Sequence, residues 1–240
     1  MITITDLTFR YSKKNLLFEH LDLSLTPGHI YGLLGKNGAG KTTLLKLICG
    51  LTFPMEGAIL AGENTPGERK PEYLQELFFL PEEVYLPAGS PAKLLSLYAG
   101  FYPAFSEAGF RSMVKQFEVD YDQKLAKLSY GQKKKVMIAF ALACNTRYLF
   151  LDEPTNGLDI PSKATFRSML AGAFSEDRII LISTHQVRDL QSLIDHVLIL
   201  DLGRIIRSQP VEDEEPDRVD LETLFNSAIA SVNQATPLFS

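Results

Sequence analysis

The chain has 240 residues, 45% of them hydrophobic and 22% charged, values that exclude wholesale disorder and allow a substantial core in one or two domains. A balance of 24 Lys and Arg against 29 Asp and Glu leaves a net charge of −5, so a global basic footprint for nucleic acid is excluded. Two cysteines without CxxC spacing exclude a disulfide scaffold and a cysteine-based zinc site.

Residues 2–11 alternate apolar and polar through Ile2, Ile4, Leu7, Phe9 and Tyr11, the pattern of a half-buried strand. Leu21, Leu23 and Leu25 repeat it, and Pro27-Gly28 marks a turn. Ile30–Leu34 is a short continuous apolar run, and residues 35–42 then read GKNGAGKT before a helical pattern over Lys41–Cys49, which Gly50 ends. A strand, a GxxxxGK[ST] loop and a helix in that order form a phosphate cradle. Gly35, Gly38 and Gly40 let the backbone turn tightly and aim successive N–H groups inward, where a helix N-terminus adds partial positive charge. Lys41 reaches the β- and γ-phosphates, and the Thr42 hydroxyl is a candidate Mg²⁺ ligand. Lys36, Asn37, Ala39 and Thr43 complete the candidate nucleotide contacts, while Leu44, Leu45 and Ile48 read as core.

Leu77–Leu80 is the next buried-strand candidate. From about residue 82 to 127 the text changes: Pro87, Pro91 and Pro103 punctuate it, and Pro91–Ala99 and Ser106–Phe117 look like amphipathic helices, which reads as a helical insertion in an α/β core. Lys133, Lys134 and Lys135 open a further helix and are expected on a solvated face rather than against nucleic acid. The longest apolar stretch, Val136–Cys144, falls short of the roughly 20 residues of a membrane span. Residues 148–153 read YLFLDE, a buried strand that delivers Asp152 and Glu153 at its C-terminal end, where ligands of open α/β sheets bind. Asp152 would hold Mg²⁺ directly or through water, and Glu153 is placed to polarise an attacking water. His185 follows the apolar strand Ile179–Ser183 and can reach a γ-phosphate, whereas His20, His29 and His196 lack such a context. Val197–Leu200 is a last core strand. The tail holds an acidic run, Glu212, Asp213, Glu214 and Glu215, read as a solvated loop, and one short helix near Asp220–Ala230. Continuous apolar runs alternating with helices predict a mostly parallel sheet covered on both faces. Cys49 and Cys144 sit in apolar runs and read as small core residues. MITITDLTFRYSKK at the N-terminus has neither the basic start nor the apolar block of a signal peptide, so a cytoplasmic chain is expected.

Residues 128–132, LSYGQ, stand twenty residues before Asp152 and resemble the signature motif of ATP-binding cassette (ABC) ATPases, usually LSGGQ. Tyr11, GKNGAGKT, LSYGQ, YLFLDE, Pro154-Thr155-Asn156-Gly157-Leu158-Asp159 and His185 follow in the family's order, so the resemblance covers roughly residues 2–210. It implies a P-loop NTPase cassette of the α/β class, with a mostly parallel core sheet, an antiparallel β subdomain and a helical insertion. An ATP-binding domain is expected over residues 1–210, with the insertion at about 82–127, and a C-terminal tail with a short helix over 211–240. Such domains work as head-to-tail dimers on ATP and Mg²⁺. In this chain Ser129 and Gly131 would contact the γ-phosphate held by a second ATPase subunit, Tyr11 would stack on adenine, and Asp159 would couple the two sites. Glu153 would be the general base, and His185 would hold the γ-phosphate and the water. Two residues depart from the pattern: Tyr130 replaces the first signature glycine, and Glu82 stands where the loop after Phe79-Leu80-Pro81 usually carries Gln. A carboxylate at 82 can still ligate Mg²⁺, and it adds negative charge beside the phosphates.

The resemblance points to the ATPase subunit of a membrane transporter. It would sit peripherally on the cytoplasmic face of the cell membrane, with an integral membrane permease as a separate chain and no nucleic acid as partner. Residues 98–106, YAGFYPAFS, are similar to a stretch in bacterial exporters of the ABC-2, drug and peptide-antibiotic type, which favours export. The alternative is a soluble ABC ATPase of a non-transport assembly, such as iron–sulfur cluster scaffolding.

Overall fold

The computed structural model describes residues 1–12, 16–211 and 220–235; the acidic run at 212–215 lies outside them. Six strands form the central sheet in the order β5(Leu77–Leu80), β6(Tyr148–Asp152), β7(Ile179–Thr184), β3(His29–Leu34), β8(His196–Asp201) and β9(Arg204–Pro210). The first five run parallel, and β9 pairs antiparallel on the edge. A second sheet, antiparallel throughout, has the order β2(Phe18–Leu25), β1(Ile2–Phe9), β4(Glu56–Ala61).

The central strands are buried on both faces, and their residues divide by parity. Tyr31 and Leu33, Tyr148 and Phe150, Ile179 and Leu181, and Leu198 and Leu200 enter one core, shared with the antiparallel sheet and α1(Lys41–Ile48). Ile30 and Leu34, Leu149 and Leu151, Ile180 and Ile182, and Val197 and Ile199 enter a second. That second core is closed by α5(Tyr130–Ala143), α6(Ile160–Gly172) and α7(Leu221–Ala235). Between β5 and β6 the chain is helical, with α3(Pro91–Tyr98) and α4(Glu107–Gln116) capped by the Ser90 and Ser106 side chains. A five-residue helix, α2(Pro71–Gln75), precedes β5. Both cysteines are buried, and burial pushes both thiols well up, so each is core.

The first strand is shorter than its pattern. Its spacing from Ile4 to Leu7 breaks the two-residue period, and the structure absorbs the extra residue as a bulge, with Asp6 at φ 53° and shifted registers to both neighbours. The strand ends at Phe9, which leaves Tyr11 on the following loop.

Candidate functional site

The loop between β3 and α1 wraps a cleft of about 480 Å³ lined by Tyr11, Lys36, Asn37, Gly38, Gly40, Lys41, Thr42, Thr43, Glu82, Asp152 and Glu153, with Leu17. Two glycines are required by their surroundings: a Cβ on Gly35 would lie 2.6 Å from the Leu200 carbonyl, and Gly40 turns at φ 106° with Phe18 2.8 Å from where a Cβ would be. Lys41 is buried, and its ammonium donates to the Gly35 carbonyl at 2.7 Å and to that of Lys36 at 3.3 Å. Tyr11 is exposed at the cleft rim, with its hydroxyl 3.1 Å from Thr43 Oγ1 and its ring edge-on to Phe9.

Strand β6 delivers the two acids from the opposite wall. Asp152 is buried and accepts from the Thr42 hydroxyl at 2.7 Å, while its other oxygen accepts from the Ser183 hydroxyl. Glu153 follows at φ 45°, a left-handed backbone that a non-glycine residue adopts at a cost. Its N–H is held by the Ser183 carbonyl at 3.0 Å. Its carboxylate Oε1 lies 3.7 Å from Lys41 Nζ and 2.8 Å from His185 Nδ1. Glu153 therefore stands between the cradle lysine and the histidine, over the mouth of the phosphate loop.

Thr42, Asp152 and Glu82 offer hard oxygen donors of the kind Mg²⁺ takes. Among the described residues no group of three His, Cys, Asp or Glu side chains could hold a metal ion. Glu82 is on the cleft wall, with its carboxylate accepting from Asn156 Nδ2 at 2.8 Å.

Gly35, Ala39 and His185 stand just behind the cleft lining, in the phosphate loop or against Glu153, whereas Ser129, Gly131 and Asp159 belong to other parts of the chain. Ser129 is exposed and caps α5 in a reciprocal box with Gln132, and Gly131 packs so that a Cβ would meet the Gly157 carbonyl at 2.7 Å. Asp159 caps α6, accepting from the Ser162 N–H at 2.8 Å, and lies 3.5 Å from Lys135 Nζ. The Ser162 hydrogen bonds, with Lys135 adding, hold its carboxyl below the ordinary range.

One expectation is overturned: Lys134 is not on a solvated face but wholly buried. Its ammonium donates to the Glu82 carbonyl at 2.8 Å and to that of Pro81 at 3.4 Å. Burial pulls it down to about 8, against the opposing pull of Glu82, Asp152 and Glu153. Ser183, Asn156 and Gln186 also enter the site, beyond the candidate residues of the sequence. Gln186 donates to Asn156 Oδ1 at 3.1 Å and accepts from Lys163 at 3.2 Å, which ties the His185 loop to the loop after Glu153. Ser183 had a signal, since it stands in the polar run Ser183-Thr184-His185-Gln186 at a strand end.

A second cavity of about 600 Å³ lies among β5, the loop that follows it, α2 and α3. It is largely apolar, lined by Phe78, Phe79, Tyr85, Leu86, Pro87, Leu94, Tyr98, Phe101, Tyr102 and Phe140 among others. Tyr85 and Phe101 are 83% and 64% exposed, a large apolar surface for residues of this size.

The family model described as ABC transporter matches residues 18–156. The ABC transporter ATP-binding protein NatA of Bacillus subtilis is 33% identical over 241 residues, covering 95% of this chain and 98% of that protein. The Nod factor export ATP-binding protein I of Cupriavidus metallidurans is 33% identical over 80% of this chain, which spans 65% of that relative's length. The bacitracin transport ATP-binding protein BcrA of Bacillus licheniformis is 32% identical over 88% of this chain and 70% of its own. Among solved structures, an ATP-binding subunit of an ABC transporter superposes with a TM-score of 0.83 at 25% identity, covering 95% of this chain and 99% of that one. A dimeric ATP-binding cassette bound to ADP and Pi shares the fold at a TM-score of 0.75 and 21% identity, covering 89% of this chain and all of that one.

Proposed function

The chain belongs to the ABC transporter ATP-binding family, and from that premise we propose that it is the ATP-hydrolysing subunit of an exporter, working as a head-to-tail dimer on a membrane permease. The observation that carries the chemistry is the Glu153 carboxylate set between Lys41 at 3.7 Å and His185 at 2.8 Å. The loop N–H groups and Lys41 bind the phosphates of ATP, with Tyr11 against the adenine. Glu153 takes a proton from a water whose oxygen attacks the γ-phosphorus as the bond to the β–γ bridging oxygen breaks, leaving ADP and phosphate. His185 is fixed by Glu153 where it can hold both the γ-phosphate and that water. Mg²⁺, bound through Thr42, Asp152 and Glu82, would neutralise charge on the phosphate oxygens. Exposed Ser129, with Gly131, meets the γ-phosphate held by the second subunit, and Asp159 relays closure between the sites. ATP touching both subunits favours the closed dimer, and hydrolysis releases it. Residues 1–210 form the ATP-binding domain in this reading, with the insertion at about 82–127, and 211–240 the tail.

Among the described residues no helix is long and apolar enough to cross a membrane. In this reading the permease is a separate chain, and this subunit lies peripherally on the cytoplasmic face of the membrane. Its docking place is the apolar cavity lined by Tyr85 and Phe101, to which the chain a few residues after Glu82 contributes Tyr85, Leu86 and Pro87. Exchanging both Tyr85 and Phe101 for Glu is expected to leave ATP binding unchanged and to abolish recovery with a membrane protein in mild detergent. Undiminished recovery would move the docking site elsewhere. Purification of the native chain from membranes tests the transporter reading itself: a polytopic partner at stoichiometric yield supports it, and a soluble partner at every detergent tried overturns it. The relatives' names are those of export and transport proteins, and no observation favours the assembly-ATPase alternative.

A further inference from the structure

Tyr130 stands where the related signature carries glycine, and the ATP chemistry above makes no use of its side chain. Its hydroxyl donates to the main-chain carbonyl of Glu82 at 2.9 Å. One helical turn on, the buried Lys134 ammonium donates to the same carbonyl at 2.8 Å. Residues i and i+4 share a helix face, so α5 presents two donors to one acceptor, whose two lone pairs satisfy both. The edge of the Tyr130 ring also meets the loop after Glu153, where a Cβ on Gly157 would come within 2.6 Å of it. A methionine would fill the volume of Lys134 without the cost of burying an ammonium, so what the lysine supplies is this tether. The anchored Glu82 main chain fixes the origin of a carboxylate that lines the phosphate cleft and accepts from Asn156.

We propose that Tyr130 and Lys134 are positioning residues that, through the Glu82 main chain, aim the Glu82 carboxylate into the phosphate cleft and so set how tightly the cleft takes a divalent cation. The proposal rests on the reading of Glu82 as a metal ligand, and the test separates the two. In a full-length Glu153→Gln chain with saturating ATP, Mn²⁺ is titrated and the free ion is read by electron paramagnetic resonance. Glu82→Gln is expected to weaken Mn²⁺ binding by about tenfold or more. Tyr130→Phe, which keeps the ring on Gly157 and removes one donor, should weaken it by about fivefold, with Lys134→Met at least as severe. Added to Glu82→Gln, Tyr130→Phe should change the affinity by less than about twofold, because it acts through the side chain already lost. Mn²⁺ affinity unchanged in Tyr130→Phe but weakened in Glu82→Gln would overturn the positioning role and leave the metal reading standing. An additive loss in the double variant would make Tyr130 a general structural prop and overturn it equally. Unchanged affinity in Glu82→Gln would overturn the metal reading, and the proposal with it.

Discussion

Replacing Glu153 by Gln is expected to yield a chain that binds ATP and turns it over about a hundred- to ten-thousandfold more slowly. The amide keeps the size of the carboxylate and can still meet His185, but it cannot accept a proton from water at neutral pH. Lys41 loses a charged neighbour at 3.7 Å yet keeps its hydrogen bonds to the Gly35 and Lys36 carbonyls, so the cradle stays built. With hydrolysis stopped, ATP holds the closed state. Light scattering with ATP should give twice the monomer mass, returning to one when ATP is removed. Turnover within a few-fold of the parent would show that another group activates the water.

Lys41→Ala acts one step earlier. Its ammonium is buried and lies among loop carbonyls at the point where phosphate charge concentrates. Removing it takes a charge-assisted contact out of a largely desolvated site, where such contacts are worth roughly 3 kcal/mol or more, about a hundredfold in affinity. Equilibrium titration with a fluorescent ATP analogue is the direct check, with circular dichroism to establish that the variant folds. Unchanged affinity would sink the assignment of the loop as the phosphate cradle. In this variant ATP should no longer drive dimerisation, so the two substitutions leave opposite traces in the same light-scattering experiment.

The parts of the site legible in the sequence are those where local text and local structure coincide. GKNGAGKT and YLFLDE each carry their own strand or helix, and the central strands read as continuous apolar runs because both of their faces are covered. Strand β9, Arg-Ile-Ile-Arg-Ser-Gln-Pro, was not legible because an edge strand with exposed positions on both faces has neither alternation nor a long apolar run. Helix α6 is not legible either: Ile160 at its start is 83% exposed, and only a narrow strip with Phe166, Met169 and Leu170 faces inward. The burial of Lys134 was invisible for a different reason. Three consecutive lysines look alike in sequence, and only the carbonyls of residues 81 and 82, some fifty positions away, select the middle one. Ser183, Asn156 and Gln186 likewise acquire their roles from partners about thirty residues distant.

The division of the central strands by parity reaches back to the gene. In β6 every second residue belongs to a different core, and the strand ends by handing Asp152 to Thr42. Loss of a single codon within 148–152 would turn Tyr148-side and Leu149-side residues into each other's compartments and retract the acid from its partner in the same stroke. In-frame length changes should therefore be purged from the strands and accumulate in the connections, which makes the strands of this chain a fixed ruler against which its loops are free to lengthen.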